Sequence, residues 1–201
     1  MKLYITRHGQ TTWNEEDRIQ GSMDSPLTEK GILAAECLRE ELLPISLDRI
    51  YSSDQGRALK TAEIIGKGRG IPIEITPLLR ELPLGPWEGR LFEEVKQAEG
   101  EDFARYFSHP EEHHLEGIED FHGLFRRVEE FLNLLVARDE DALIVTHGVT
   151  VRALLAVMEK VPLKDFWSVP LVATCSLNHV VYDNGEWKVL TRAKAHHGAQ
   201  Y

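Results

Sequence analysis

Two apolar, β-branched runs in this chain end in the same pair of residues, a histidine and a glycine. Leu3-Tyr4-Ile5-Thr6 leads into Arg7-His8-Gly9, and Ala142-Leu143-Ile144-Val145-Thr146 leads into His147-Gly148. Runs of this kind read as buried strands. In α/β sheets, ligands sit outside the carboxyl ends of strands. A neutral imidazole nitrogen can attack phosphorus and carry the group covalently, so His8 is a candidate nucleophile. Arg7 supplies a planar fork matched to phosphate oxygens. Gly9 allows the backbone a close approach beside His8. One Arg-His-Gly string is short enough to arise by chance as a turn-capping histidine. The recurrence of strand, histidine and glycine weakens that reading, because two adjacent strand ends would turn His8 and His147 toward one point.

Two further residues could complete the chemistry. Asp48-Arg49-Ile50-Tyr51-Ser52 reads as a strand, and Ser53 or Asp54 then caps a helix running to about Ile65. Arg57 falls in its first turn, where a helix N-terminus and a guanidinium both favour an anion. By itself, Arg57 reads first as a surface residue of an amphipathic helix, and only the Arg7-His8-Gly9 motif shifts that reading. Glu81 lies in Leu79-Arg80-Glu81-Leu82-Pro83-Leu84-Gly85-Pro86-Trp87-Glu88-Gly89, a stretch whose prolines and glycines indicate a shaped loop. Partial burial would raise its pKa and suit it to general acid work. The competing reading pairs it with a neighbouring arginine such as Arg80.

The elements that must hold these residues follow from the pattern. Residues 15–27 form a polar loop, and Thr28 caps a helix with Ile32, Ala35, Leu38 and Leu42 on one face, ended by Pro44. Gly66, Gly68 and Gly70 break the helix that carries Arg57. Pro72–Thr76 is a short, edge-type strand. Residues 91–125 read as a helical insertion containing His109, His113, His114 and His122. No ligand set there has a recognisable metal spacing, so the metal expectation is none. Residues 118–137 form a long amphipathic helix whose apolar stripe reads as core. A helix from Val149 to about Met158 follows His147-Gly148, and a short helix spans 162–167. Asn184-Gly185 marks a two-residue hairpin between Cys175–Val181 and Trp187–Thr191. Two arrangements are open for the tail Ala195–Tyr201: closure over the pocket, or disorder. The order strand, helix, strand, helix indicates an α/β sandwich with a mostly parallel sheet.

The 201 residues suit one domain with a sizeable core, and 42% apolar with 28% charged residues is ordinary for a soluble globular protein. No apolar run approaches the roughly 18–20 residues of a membrane span, and no signal peptide is visible. Cys37 and Cys175 are the two cysteines, in no metal or redox spacing, and read as buried thiols of a cytoplasmic protein. A formal net charge of −10 argues against nucleic acid as a partner. A small anion stays compatible, because salt screens surface charge beyond about 8 Å.

Taken together, Arg7-His8-Gly9, Ser52-Ser53-Asp54 with Arg57, Glu81 with Gly85-Pro86-Trp87-Glu88-Gly89, and Thr146-His147-Gly148 resemble the histidine phosphatase superfamily, the phosphoglycerate mutase-like group. The likeness covers essentially the whole chain, in the family's order. It is greatest to the small bacterial broad-specificity phosphatases, through Pro26-Leu27-Thr28-Glu29-Lys30-Gly31 and the Trp-Glu-Gly loop. The resemblance implies a three-layer α/β/α sandwich over residues 1–201, with a lid-like insertion at about 83–125. It implies that Arg7, Arg57 and His147 hold the phosphoryl oxygens, that His8 becomes a phosphohistidine, and that Glu81 serves as acid and then base. Asn14 matches a position that contacts phosphate, and Gln20 and Gly21 match a segment lining the substrate side. No metal or other cofactor is implied, and the partner is a small phosphomonoester. Phosphoglycerate mutase activity and a non-catalytic phosphate-binding module are the alternatives. Glu116-Gly117-Ile118-Glu119-Asp120 departs from the family's Gly-Gly-Glu-Ser, which bears on the geometry of the lid.

Overall fold

The structure, a computed structural model, describes residues 1–170 and 172–194. The tail from Ala195 lies outside the described residues. Six strands, β1 (Lys2–Arg7), β2 (Arg49–Ser53), β3 (Ile73–Thr76), β4 (Ala142–Thr146), β5 (Leu177–Asp183) and β6 (Glu186–Lys194), form one sheet in the order β3-β2-β4-β1-β5-β6. β3, β2, β4 and β1 are parallel; β5 and β6 run antiparallel at one side. The mostly parallel expectation therefore holds for the four strands that approach the site. The β5–β6 hairpin turns at Asn184 and Gly185, both at positive φ (51° and 82°), as the sequence pair predicts.

Seven α-helices accompany the sheet: α1 (Thr12–Glu15), α2 (Glu29–Leu42), α3 (Gly56–Gly66), α4 (Phe92–Ala98), α5 (Gly100–Ser108), α6 (Phe121–Arg138) and α7 (Gly148–Met158). The two-residue period of the strands sorts the core into two layers. Tyr4, Ile50, Leu143 and Val145 pack with α2 and α3 on one face. Leu3, Ile5, Tyr51 and Ile144 pack with α6 and α7 on the other. The result is three layers, helix, sheet, helix.

Local details depart from the sequence reading. The cap of α3 is Gln55, with no side-chain bond; Ser53 Oγ instead accepts from the Gln55 N–H at 3.3 Å. α6 starts at Phe121, three residues later than expected, because Asp120 caps it by accepting from Gly123 N–H at 2.8 Å. The insertion is two short helices, α4 and α5, followed by an irregular stretch over 109–120. There Ile118 Cδ1 sits where a Cβ on Gly85 would be, and Glu119 pairs with Arg127 at 2.9 Å. The short helix at 162–167 is a 3₁₀ turn, Leu163–Ser168. Cys175 is buried, but Cys37 is only half-buried, being on the outer flank of α2. No helix among the described residues is long and apolar enough to cross a membrane.

Candidate active site

The site begins with the register of two strands. Arg7 on β1 pairs with Thr146 on β4, and His8 N–H donates to the Thr146 carbonyl at 2.8 Å. The histidine that follows each strand is thereby delivered to the same edge. The two rings lie 5.3 Å apart, centroid to centroid. Both are buried, His8 at 2% exposure and His147 at 0%.

The His8 ring is oriented by its own neighbours. Nδ1 lies 2.8 Å from the Gly9 carbonyl, which can only accept, so Nδ1 carries the proton and Nε2 keeps the lone pair. Gly9 N–H donates to Thr61 Oγ1 on α3 at 3.0 Å. The close approach at Gly9 is made by another glycine. A Cβ on Gly9 would meet the Gly31 carbonyl at 2.7 Å, and one on Gly31 would meet the Gln10 carbonyl at 2.1 Å. The loop that follows His8 therefore rests directly on the first turn of α2.

Two arginines and a second histidine gather around the His8 ring. Arg57 Nε–H donates to His8 Nε2 at 3.3 Å, from the first turn of α3. Arg57 is 2% exposed, which removes the surface-arginine reading. It is anchored by Asp24 at 2.9 Å and by the carbonyls of Met23 and Gly21 at 2.7 and 2.9 Å. Arg7 donates through Nη1 to the Val172 carbonyl at 3.2 Å, and its Nε is buried without a partner. His147 Nε2 lies 2.9 Å from Ser53 Oγ, and its Nδ1 is likewise buried without a partner. With the Ser53 hydroxyl donating to Nε2, Nδ1 becomes a free donor. Unpaired buried donors are costly unless a ligand supplies the acceptors. Burial, then Arg57 and Arg7, hold the His8 pKa well below the usual histidine value; burial, Arg57 and His8 do the same for His147. Both are neutral at pH 7.

Glu81 meets the same space from the opposite side. Arg80 is not its partner, since Arg80 pairs with Asp54 at 2.5 Å. The Glu81 carboxylate instead accepts from Val149 N–H (3.0 Å), Thr150 N–H (3.1 Å) and Thr150 Oγ1–H (3.1 Å), at the N-terminus of α7. Glu81 is half-buried, as the sequence predicts.

Arg7, His8, Asn14, Gln20, Gly21, Arg57 and Glu81 all line one cavity of about 250 Å³; His147 sits beneath it, against His8. Asn14 Oδ1 is held by Thr11 at 3.1 Å, and Gln20 Oε1 by Ser25 at 3.2 Å. Gly21 adopts φ +54°, and a Cβ there would meet Glu88 Oε1 at 2.2 Å. Glu88 also takes N–H groups of Ser22 and Leu84, tying the two loops that flank the cavity.

The upper wall went unread in the sequence. Trp87, Phe92, Phe103, Tyr106, Phe107 and Trp167 line it, joined by Leu84 and Ile19. The spacing Phe103, Tyr106, Phe107 on α5 is a one-face helical signal. The supports Asp24, Ser53, Thr61 and Glu88 also went unread, since nothing local marks them. Among the described residues no cluster of three or more His, Cys, Asp or Glu could hold a metal ion. His113 packs against Trp87 and Tyr106 instead, at 5.5 and 5.2 Å.

Comparison with known proteins agrees with this geometry. The family model of the histidine phosphatase superfamily, branch 1, matches residues 3–194. YhfR of Bacillus stearothermophilus is 40% identical, with 98% of each chain covered and a TM-score of 0.92. Phosphoserine phosphatase 1 of Hydrogenobacter thermophilus is 34% identical over 84% of this chain and 81% of that protein. A probable phosphoglycerate mutase, GpmB, of Salmonella choleraesuis is 32% identical over 93% of this chain and 87% of that protein. The chain is a phosphatase of the histidine phosphatase superfamily, branch 1.

Proposed function

We propose that the protein hydrolyses small phosphomonoesters through a phosphohistidine on His8, without a metal ion, as one cytoplasmic domain whose segment at about 83–125 covers the site. The observation that carries the reading is the placement of His8 Nε2. Its lone pair faces the cavity, Nδ1 is tied to a carbonyl, and unpartnered donors of Arg7 and His147 are buried beside it.

In the first half-reaction Nε2 attacks phosphorus in line. The N–P bond forms as the ester P–O bond breaks, and the Arg57 Nε–H moves from the nitrogen to a phosphoryl oxygen. Arg7, Arg57 and His147 stabilise the charge on the equatorial oxygens. Protonated Glu81 donates to the departing alkoxide. In the second half-reaction the Glu81 carboxylate takes a proton from water. The resulting hydroxide attacks phosphorus, and the electron pair of the N–P bond returns to Nε2. Asn14, Gln20 and Gly21 border the phosphate and leaving-group sides of this path.

The cavity's six aromatic side chains favour an apolar body in the leaving group. This separates the reading from a mutase, which must hold a second anion and keep water from the phosphoenzyme. The segment after Glu81, Leu82-Pro83-Leu84-Gly85, carries no charge. A non-catalytic phosphate-binding module would have no use for an acid opposite the nucleophile. The test is acid-quench trapping of labelled phosphoenzyme, with 3-phosphoglycerate supplied in parallel with and without 2,3-bisphosphoglycerate. A His8-dependent phosphoenzyme and free phosphate with little 2-phosphoglycerate are expected. Interconversion of the phosphoglycerates much faster than phosphate release would sink the hydrolase reading.

A further inference from the structure

An acid must hold a proton before it can give one, yet the surroundings of Glu81 are one-sided. Oε1 accepts from Leu82 N–H at 3.0 Å and from Thr150 N–H at 3.1 Å, and Oε2 accepts from Val149 N–H at 3.0 Å. A backbone N–H can only donate, so all three favour the ionised carboxylate. Val149 and Thr150 lie in the first turn of α7, whose positive end favours an anion as well. Arg7 at the end of β1 and Arg152 on α7 add to that preference, while burial keeps the Tyr106 phenol on α5 neutral. Across the cavity stand Arg57 and the neutral His8. In a second cavity that Glu81 borders, Arg80 is paired with Asp54 and Arg127 with Glu119.

Among the described residues, one group bonded to the Glu81 carboxyl can accept as well as donate. Thr150 Oγ1 lies 3.1 Å from Glu81 Oε1 and 2.7 Å from the Arg80 carbonyl. A hydroxyl has one proton and two lone pairs, so it serves one of these oxygens as donor at a time. The Arg80 carbonyl is the nearer acceptor. With the hydroxyl proton on that carbonyl, Oγ1 turns a lone pair to Oε1, and the 3.1 Å contact is then a hydrogen bond when Oε1 carries the proton. With Glu81 ionised, the hydroxyl turns and donates to Oε1. Thr150 is fully buried, so bulk water does not compete for either bond. Without the hydroxyl the carboxylate keeps three N–H donors, whereas the neutral acid loses its acceptor.

We propose that Thr150 is a positioning residue for the acid: its hydroxyl, turned onto the Arg80 carbonyl, holds the proton on Glu81 Oε1 until the ester oxygen arrives to take it. The O–H bond of Glu81 breaks as the proton passes to the departing alkoxide, and the Thr150 hydroxyl then swings from Arg80 O to the carboxylate. In the second half-reaction water returns a proton to Glu81 and the swing reverses. This rests on the reading of Glu81 as acid and then base, and names the group that lets one carboxyl serve in both states.

The pH dependence of kcat for an alkyl phosphate tests it, in the wild type, T150V, T150S and E81Q. Valine keeps the β-branched shape and removes the hydroxyl. The alkaline fall of kcat reports loss of the acid's proton in the enzyme–substrate complex. In T150V that fall is expected at a pH lower by about half a unit or more, the size of one lost hydrogen bond. T150S should return it to the wild-type position. Hydrolysis of p-nitrophenyl phosphate, whose anion leaves without a proton, should suffer much less in T150V. An alkaline limb that stays in place in T150V, or moves to higher pH, would overturn the proposal. So would an equal loss on both substrates, which a purely structural threonine would give, or a limb that serine does not restore. T150A removes the same hydroxyl and carries the test where T150V does not fold. E81Q separates the two levels. An alkaline limb that persists in E81Q would remove Glu81 as the acid, whereas a limb lost in E81Q but unmoved in T150V would remove Thr150 alone.

Discussion

At the scale of single residues, one carbonyl sets which nitrogen of His8 keeps its lone pair. Gly9 O holds the proton on Nδ1, which leaves Nε2 as the proposed nucleophile, and replacing His8 with alanine should lower kcat by about a thousandfold or more in folded protein. Glu81 should matter according to the leaving group. Glu81→Gln is expected to slow alkyl phosphates far more than p-nitrophenyl phosphate, whose anion leaves without a proton. Equal losses on both substrates would remove Glu81 as the acid. The neutral histidines also set an acid limit on stability. His8 and His147 have folded pKa values well below those of the unfolded chain. Below pH about 6.5 the unfolded chain therefore takes up protons that the folded protein refuses, and stability falls by up to about 1.4 kcal/mol per pH unit for each. Urea midpoints should drop from pH 7 to pH 5, less steeply in His147→Asn; parallel slopes would contradict the assignment. That His8, Arg7 and Arg57 meet at one edge was legible in the sequence because strand ends and a helix start announced them, and Glu81 because it sits in a loop shaped by prolines and glycines. The supports Ser53 and Thr61 were not, since nothing beside them in the sequence marks what they hold.

At the scale of elements, the start of α7 depends on a residue sixty-eight positions before Val149. Its N-cap, His147, makes no side-chain capping bond, and Glu81 takes the free N–H groups of Val149 and Thr150 instead. The same carboxylate serves the chemistry and the helix end. Glu81→Ala is therefore expected to destabilise the fold by about 1 kcal/mol in urea unfolding, the usual value of a lost cap. A variant as stable as the wild type would mean that the helix end is held by other groups. The strands, the hairpin and most helices could be read from periodicity and turn residues. The Thr28 cap was readable and its Oγ1 accepts from Gly31 N–H, but the starts of α3 and α7 were not, because Gln55 makes no side-chain cap and Glu81 reaches α7 from a distant loop. The insertion misled for a related reason: α4 and α5 bury their aromatic face against the cavity and the 3₁₀ turn at 163–168, which lie far away in sequence.

At the scale of the whole molecule, an acidic protein gathers its positive charge at one place. The net charge is −10, yet Arg7 and Arg57 line a single cavity. On the proposed reading these side chains take the place of a divalent ion, so full activity is expected after exhaustive EDTA treatment. Activity lost on chelation and restored by one metal ion would overturn that assignment. The arrangement of layers was readable from the order of elements, whereas the amphiphilic character of the cavity emerged only once α5 was seen to fold over the strand ends. Its wall has an optical consequence. Of the four tryptophans, Trp87 and Trp167 line the cavity, each with its ring centroid within 6 Å of that of Tyr106. Any ligand that displaces water from this wall changes the surroundings of two indoles at once, so the intrinsic emission of the protein is a built-in gauge of how full its active site is.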